Sequence, residues 1–490
     1  MTSSRDNNDS NRLLASVDWF TVLLYVIMVL AGAISIYAAT TTNSSQVSMF
    51  DLDTFSGKQF LWIGLSFVIG FSLLLIDRRL YEAYAYPIYA IMIIILIATA
   101  FLSPNIKGSH SWLKFGAVSL QPAEFAKTAT ALALAKLFST YGFQLKSWRT
   151  YIVPLGIILL PVLCIILERE TGSALVYFAL FLVLYREGMN GFVLFATLCA
   201  VSYFVLVLKF AGTLIMGIPL GIFIVLTCVM VVIVLMLLIY CRSLILGRNV
   251  ALGYIGCALL AWVLSLMGVH INGYVFFFTV IPLSLIYLLI GMFRDDLNKV
   301  LMTVIFAVAS ITFMFSVNVA FGVLAPHQQN RINIALGIEE DIRGKGYNVN
   351  QSKIAIGSGG FTGKGFLQGT QTKLNYVPEQ HTDFIISTIG EEEGFLGTSA
   401  VLILFLALIL RVIAIGERQH TTFGRVYAYC VASILIFHLT INIGMVIGLV
   451  PVIGIPLPFF SYGGSSLWGF TILLFILLRI DAVRSEYGTW

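Results

Sequence analysis

The stretch VPEQHTDF, residues 377–384, sets Glu379, His381 and Asp383 on alternate positions just before the apolar run FIISTIG. Carboxylates and imidazoles are the side chains that most often move protons in catalysis. The spacing is not the H-E-x-x-H of a metalloprotease. A plainer use is open as well, since Thr382 or Asp383 could cap a helix beginning at Phe384. Capping would account for Asp383, but for neither Glu379 nor His381.

Other polar groups stand in equally apolar surroundings. QPAEFAKT, 121–128, opens a helix with Pro122 in its first turn and sets Glu124 and Lys127 three apart on one face. They form either a structural ion pair or a functional pair facing a cavity. ERETG, 168–172, carries Glu170 at the mouth of the next helix, where it either turns an interfacial corner or meets Lys127. QSKIAIGSGGFTGKGFLQG, 351–369, is dense in glycine around Lys364, yet it lacks both the first glycine and the Ser or Thr of a phosphate loop. It reads as a flexible turn, or as an anion-holding concavity with Lys364 adding charge. PVIGIPLPFFSYGGSSLWG, 451–469, brings prolines and glycines to membrane depth, which is tolerated only where protein or a wet cavity satisfies the backbone.

The elements that position these residues follow from composition. Of 490 residues, 59% are hydrophobic and 11% charged, against roughly 25% charged in soluble domains. About fourteen runs are apolar enough to cross a hydrocarbon layer of roughly 30 Å: 18–40, 59–76, 84–102, 122–139, 151–167, 172–185, 191–208, 213–240, 249–268, 271–293, 300–321, 384–415, 426–450 and 464–480. The chain is an all-α polytopic membrane protein. The first run is longer than a signal-peptide core and reads as a retained helix. Alternate threading puts Arg78, Arg79, Arg186, Arg242, Arg248, Arg411, Arg418, Arg425 and Arg484 on the side of both termini, which the positive-inside rule makes cytoplasmic. A net charge of +5 then marks topology, and no nucleic-acid partner is implied. The six cysteines show no metal or disulfide spacing. One outer connection, 322–383, is long but keeps Ile332, Ile354, Phe361, Leu374 and Tyr376, so it reads as a folded loop on the membrane surface.

Taken in order, GSHSWLKFG, QPAEFAK, ETGSALV, the RI…DIRGKGYNVNQSKIAIGSGGFTGKG block, PEQHTDFIISTIGEEEGFLG and NIGMVIGLVPVIGIPLPFFSYGGSS resemble the SEDS family of peptidoglycan polymerases, its elongation branch more than its division branch. The resemblance covers 12 to about 186 and 299–484. It implies a SEDS-type core of about ten transmembrane helices plus about four extra ones, with one large extracytoplasmic loop. The expected parts are a tail, 1–17; core helices, 18–189; inserted helices, 190–298; a helix, 299–321; the catalytic loop, 322–383; C-terminal helices, 384–483; and a tail, 484–490. Ser111, Ala123 and the sequence Glu168-Arg169-Glu170-Thr171-Gly172 depart from the family, which usually has Arg, Ser and Gln-Pro-Asp-Leu-Gly there.

The same resemblance implies polymerisation of lipid II into β-1,4 glycan strands during cell-wall elongation, at the bacterial inner membrane. Implied partners are lipid II and the growing strand, a class B penicillin-binding protein, other elongation-complex membrane proteins and membrane lipid. In the family the acid at the position of Asp383 is essential, and inversion at the donor sugar needs a general base, which Asp383 supplies. Glu379, His381, Trp112, Glu124, Lys127, Glu170 and Ser461 join it as expected substrate-binding residues. Lys364, Arg331 and Lys114 offer positive charge to the leaving pyrophosphate. A divalent cation, magnesium or manganese, is a candidate helper there, with no organic cofactor. The rival readings are a transporter or flippase for the lipid precursor, a division-type polymerase and a non-catalytic scaffold.

Overall fold

The computed structural model describes residues 16–41, 48–106, 108–116, 118–145, 147–291, 297–324, 326–338 and 347–484. In hydrocarbon a backbone must satisfy its own hydrogen bonds, so long apolar runs become helices. Among the described residues, twelve helices are long and apolar enough to cross a membrane. Sheet there is confined to two short hairpins, Leu113–Phe115 (β1) with Val118–Leu120 (β2), and Leu214–Ile215 (β3) with Ile218–Pro219 (β4). The chain divides into two compact units, Met1–Met189 with Ile342–Trp490, and Asn190–Asp341.

The first unit starts with α1 (Trp19–Thr40), α2 (Phe55–Leu75), α3 (Ala85–Leu102), α4 (Pro122–Ser139), α5 (Ile152–Leu167), α6 (Thr171–Val176) and α7 (Leu180–Arg186). The last two are one short apolar helix tightened into a 3₁₀ turn at Tyr177–Ala179, where the 172–185 span was expected. Helix α4 is too polar to face lipid, and it does not: all its residues but Phe125, Lys136 and Ser139 are buried, against α3 and α5 among others.

The second unit holds α8 (Gly191–Lys209), α9 (Leu220–Leu235), α10 (Leu244–Leu266), α11 (Gly273–Gly291) and α12 (Leu297–Val323), followed by Pro326–Ala335. It has its own apolar core, with Tyr203, Val225, Leu226, Ile233, Phe277 and Met314. Helix α12 packs on α8 and α9. The 299–321 helix, expected to stand apart from the inserted helices, thus lies with them.

The first unit resumes with α13 (Tyr347–Gly359), α14 (Thr370–Lys373), α15 (Ile385–Glu392), α16 (Gly394–Glu417), α17 (Thr422–Val446) and α18 (Gly464–Ala482). The glycine-dense stretch 351–369 is therefore not one turn, because its first half is helix. Helix α18 is buried from Leu467 to Ala482 except at Ile472, packed on α2, α4 and α17. Tyr25 of α1 lies edge-on to Phe459 and Phe475 at 5.3 and 5.2 Å, and its hydroxyl meets Thr471 Oγ1 at 3.0 Å. Such close contacts and interhelical hydrogen bonds hold helices together where lipid offers no hydrophobic drive.

The strap 451–463 crosses directly over α1. A Cβ on Gly32 would stand 2.3 Å from the Phe459 carbonyl oxygen, so only glycine fits there. Gly32→Val should destabilise the protein by about 1–3 kcal/mol through overpacking, read as a lower thermal unfolding midpoint in detergent. Gly64→Ala, on α2 with nothing within 4 Å of the added carbon, should leave the midpoint in place. Equal midpoints for both variants would mean that α1 and the strap are not in contact.

Candidate active site

Residues 377–384 form an irregular turn, and its shape decides what Asp383 can do. Helix α15 begins with Phe384 as its cap residue and no side-chain cap. The capping role open to Thr382 or Asp383 is therefore not taken. The chain folds back on Glu379 instead, at φ +54°: its carbonyl accepts from the N–H groups of Thr382 and Phe384 at 3.2 and 3.4 Å. The Thr382 hydroxyl donates to the same carbonyl at 3.2 Å.

Two side chains from other elements, and one from the turn itself, fix it in place. The Asn442 amide on α17 donates to the Asp383 carbonyl at 2.9 Å and to the Ile455 carbonyl at 2.8 Å. The Ser461 hydroxyl donates to the Thr382 carbonyl at 2.6 Å and accepts from the Leu457 N–H at 2.8 Å. The buried Gln380 amide reaches the carbonyls of Ala39 at 2.6 Å and Thr372 at 3.0 Å. His381 stacks on Phe55 at 4.5 Å, and its carbonyl accepts from the Tyr462 N–H at 2.9 Å. Asp383 is half-buried, and its carboxylate faces the strap at Gly454, where a Cβ would lie 3.3 Å from Oδ2. Glu379 is exposed. Ser461 is buried with its hydroxyl used inside the chain, so its place is that of a staple.

Glu124 and Lys127 meet as their spacing implied, with Lys127 Nζ 2.9 Å from Glu124 Oε2 and both side chains buried. A residue that sequence reasoning missed completes the group. His438 of α17 sits with Nε2 3.1 Å from Lys127 Nζ and Nδ1 3.0 Å from the Pro456 carbonyl. An ammonium can only donate, so Nε2 accepts, and the imidazole is neutral with its proton on Nδ1. The Lys127 ammonium also lies 4.6 Å above the Phe470 ring. The available signal was FHLTIN, 437–442, two polar residues four apart in an apolar span.

Glu170 does not meet Lys127, which Glu124 and His438 already occupy. Its Oε1 accepts from the Gln121 amide and, at 2.7 Å, from the Ser173 hydroxyl. Burial pushes its carboxyl above the ordinary value. Glu168 is fully buried, and among the described residues neither of its carboxyl oxygens has a hydrogen-bond partner. Burial, with the Glu170 carboxylate adding to it, pushes Glu168 up to about 8, so it is mostly a neutral acid at pH 7.

Lys364 is engaged in holding the loop together. Its ammonium contacts Glu391 Oε1 at 2.6 Å and Thr370 Oγ1 at 2.8 Å. The Glu391 carboxylate also accepts from the N–H groups of Gln371 and Thr372, each at 2.8 Å. Burial alone would raise Glu391, but the Lys364 ammonium and those N–H groups hold it below its ordinary value. The N–H groups of Lys364 and Gly365 donate to the carbonyls of Glu391 and Glu392. The expected anion concavity is thus filled by the protein's own carboxylate and carbonyls. Lys114 is exposed on β1, beside half-buried Trp112. Arg331 belongs to helix Pro326–Ala335 of the second unit, and its side chain lies outside the described part of the structure. Among the described residues no three His, Cys, Asp or Glu side chains converge to hold a metal. A ready-made protein cage for magnesium or manganese is thus not formed by them.

Fold and site define a polytopic helical membrane protein that combines a buried charged network with an acidic turn stapled at a helix end. The chain matches the FtsW/RodA/SpoVE pattern of cell cycle proteins over 18–216 and 279–486, and it belongs to that family. It is 29% identical to the peptidoglycan glycosyltransferase RodA of Treponema pallidum, over 96% of this chain and 99% of that one. It is 30% identical to the peptidoglycan glycosyltransferase MrdB of Escherichia coli, over 83% and 80%. Among solved structures, a chain from a study of how a peptidoglycan synthase complex coordinates polymerization and crosslinking is similar in fold, with a TM-score of 0.60, 23% identity and coverage of 96% and 98%. The rod shape determining protein RodA of Thermus thermophilus is also similar, with a TM-score of 0.53, 20% identity and coverage of 96% and 97%.

Removing one member of the buried pair should be far worse than removing both. Lys127→Met leaves Glu124 buried beside no cation and should cost about 3–5 kcal/mol, visible as loss of monodisperse protein on size exclusion. The double change Glu124→Gln with Lys127→Met should recover most of that loss. A double variant no more stable than Lys127→Met would dissolve the pair.

Proposed function

We propose that this chain is a peptidoglycan glycosyltransferase that polymerises lipid II into β-1,4 glycan strands for cell-wall elongation, with Asp383 as general base. Its relatives' named activity supports the reaction class. One observation supports the choice of residue: the Asp383 carboxylate faces the strap at Gly454, while the backbone around it is fixed by Asn442 and Ser461 and anchored through Gln380. A positioned base is what the reaction asks of the protein. The 4-hydroxyl of the acceptor GlcNAc attacks the anomeric carbon of the donor MurNAc, Asp383 takes the hydroxyl proton, and the lipid pyrophosphate departs from the opposite face. One displacement with inversion turns the α-linked donor into a β-linked product.

The turn lies at the end of α1 away from the N-terminus, since Gln380 binds the Ala39 carbonyl. With both termini cytoplasmic, as the positive-inside rule supports, that end is extracytoplasmic, at the level where a lipid-linked sugar leaves the membrane. Exposed Glu379 and His381 on its Phe55 platform suit contacts to sugar, and exposed Lys114 suits the departing pyrophosphate. Lys364 contributes indirectly, by fixing the loop through Glu391. Any magnesium or manganese would be carried mainly by the pyrophosphate and water, and no step here depends on it. A flippase reading has the buried Lys127–Glu124–His438 group in its favour, because such groups mark transport paths in other membrane proteins.

Asp383→Asn decides between these readings. The variant should fold and still retain lipid II, yet lose roughly a hundred- to ten-thousand-fold in strand synthesis, measured as glycan ladders from labelled lipid II. Glu379→Gln and His381→Ala should be milder. Near-normal ladders from Asp383→Asn would remove it as the base, and transbilayer movement of lipid II without ladders from the unaltered protein would favour the flippase.

The fold neighbour from a synthase complex supports a crosslinking partner, which we propose is a class B penicillin-binding protein. The isolated chain should therefore be a weak polymerase that speeds up when that partner is added. Full activity alone, unchanged by the partner, would count against the pairing.

A further inference from the structure

At the end of α1 opposite the acidic turn lies a cavity of about 510 Å³, lined by Asp18, Arg411, Arg418 and Arg484, with Trp19 and Phe20 also on its wall. Asp18 and Ala39 are separated by most of α1, about 30 Å along a helix axis, so cavity and turn sit at opposite surfaces. Three guanidinium groups share two buried carboxylates. Asp18 Oδ2 takes Arg411 and Arg418 at 2.8 and 2.7 Å, and Asp481 takes Arg418 and, at 2.8 Å, Arg484. Among the described residues these groups leave one positive charge over. The carboxylates are buried while the three arginine side chains are about a third exposed. Among the described residues the Nη1 atoms of Arg411 and Arg418 and the Nη2 atom of Arg484 make no hydrogen bond. Guanidinium forks with spare donors match the geometry of a phosphate.

A second cavity adjoins the first at Trp19. It measures about 540 Å³, is lined by Val22, Phe67, Phe71, Leu74 and Phe475, and shares Trp19 with the basic cavity. Its walls come from α1, α2 and α18 and are almost wholly apolar. A free phosphate would use only the first cavity, whereas a phospholipid fits both, with its headgroup among the arginines and one acyl chain along the groove. Exposed Trp19 stands where aromatic residues mark the membrane boundary. Basic pockets at that level take anionic headgroups.

We infer that these joined cavities are a binding site for an anionic phospholipid. The test is native mass spectrometry of the full chain released from detergent. Phosphatidylglycerol and phosphatidylcholine of identical chains are offered separately, and inorganic phosphate is added as competitor. Phosphatidylglycerol should be retained at about tenfold lower concentration, because the arginines repel the choline cation that only the other lipid carries, and inorganic phosphate should displace little of it. Arg484→Gln should remove most of that preference. Because this change also loosens Asp481, a second variant leaves the charges alone: Ser72→Trp, on the exposed wall of the apolar groove, should weaken retention of phosphatidylglycerol in a protein of unchanged thermal midpoint. Equal retention of the two lipids would overturn the inference. So would ready displacement by inorganic phosphate with Ser72→Trp having no effect, which would reduce the site to one for free phosphate.

Discussion

Asn442 and Ser461 donate to carbonyls of the acidic turn that its irregular backbone cannot satisfy itself, Gln380 ties the turn to Ala39 and Thr372, and the geometry of the turn depends on these bonds. Two reach in from α17 and the strap, one reaches out from the turn, and each ends on a main-chain carbonyl or amide. Water at that depth is scarce, so an unsatisfied carbonyl would cost several kcal/mol. The staples therefore fix the turn more firmly than its own sequence could. A carboxylate held this way needs no reorganisation before it acts, which is the property that distinguishes a useful base from a solvated acid.

Helix α17 joins this turn to the buried charges. His438 and Asn442 are four residues apart, hence on one face. The first meets Lys127 and the second meets the Asp383 carbonyl. The strap between α17 and α18 closes the connection, since Pro456 accepts from His438 and Ile455 from Asn442. Polar residues on α4 are affordable because that helix is shielded from lipid on almost every side.

Hydropathy located the helices well, since a run of twenty apolar residues has one stable form in hydrocarbon; even α4, too polar to count as a span, and the short broken helix ending at Arg186 begin and end near the expected positions. Local pairs were legible too, as Glu124 and Lys127 show. Contacts between distant segments were not. Lys364 with Glu391, Lys127 with His438, and Gln380 with Ala39 obey no periodicity, because the fold alone brings them together. The glycine-dense stretch misled for a related reason. Its helix through Gly359 is stabilised by packing on α15, a tertiary effect that overrides weak local propensity. The cap position that was open to Asp383 or Thr382 falls to Phe384 instead, because the backbone first folds back on the Glu379 carbonyl.

The direction of the His438 hydrogen bond has an electrical consequence. A membrane can store energy as a proton gradient, and a continuous relay of buried titratable groups between its faces would drain it. Here the series from Glu124 through Lys127 to His438 ends on the Pro456 carbonyl, an oxygen that accepts a hydrogen bond but has no proton of its own to pass on. Among the described residues that series therefore closes on the backbone of the strap, and the buried charges serve to tie α4, α17 and the strap together.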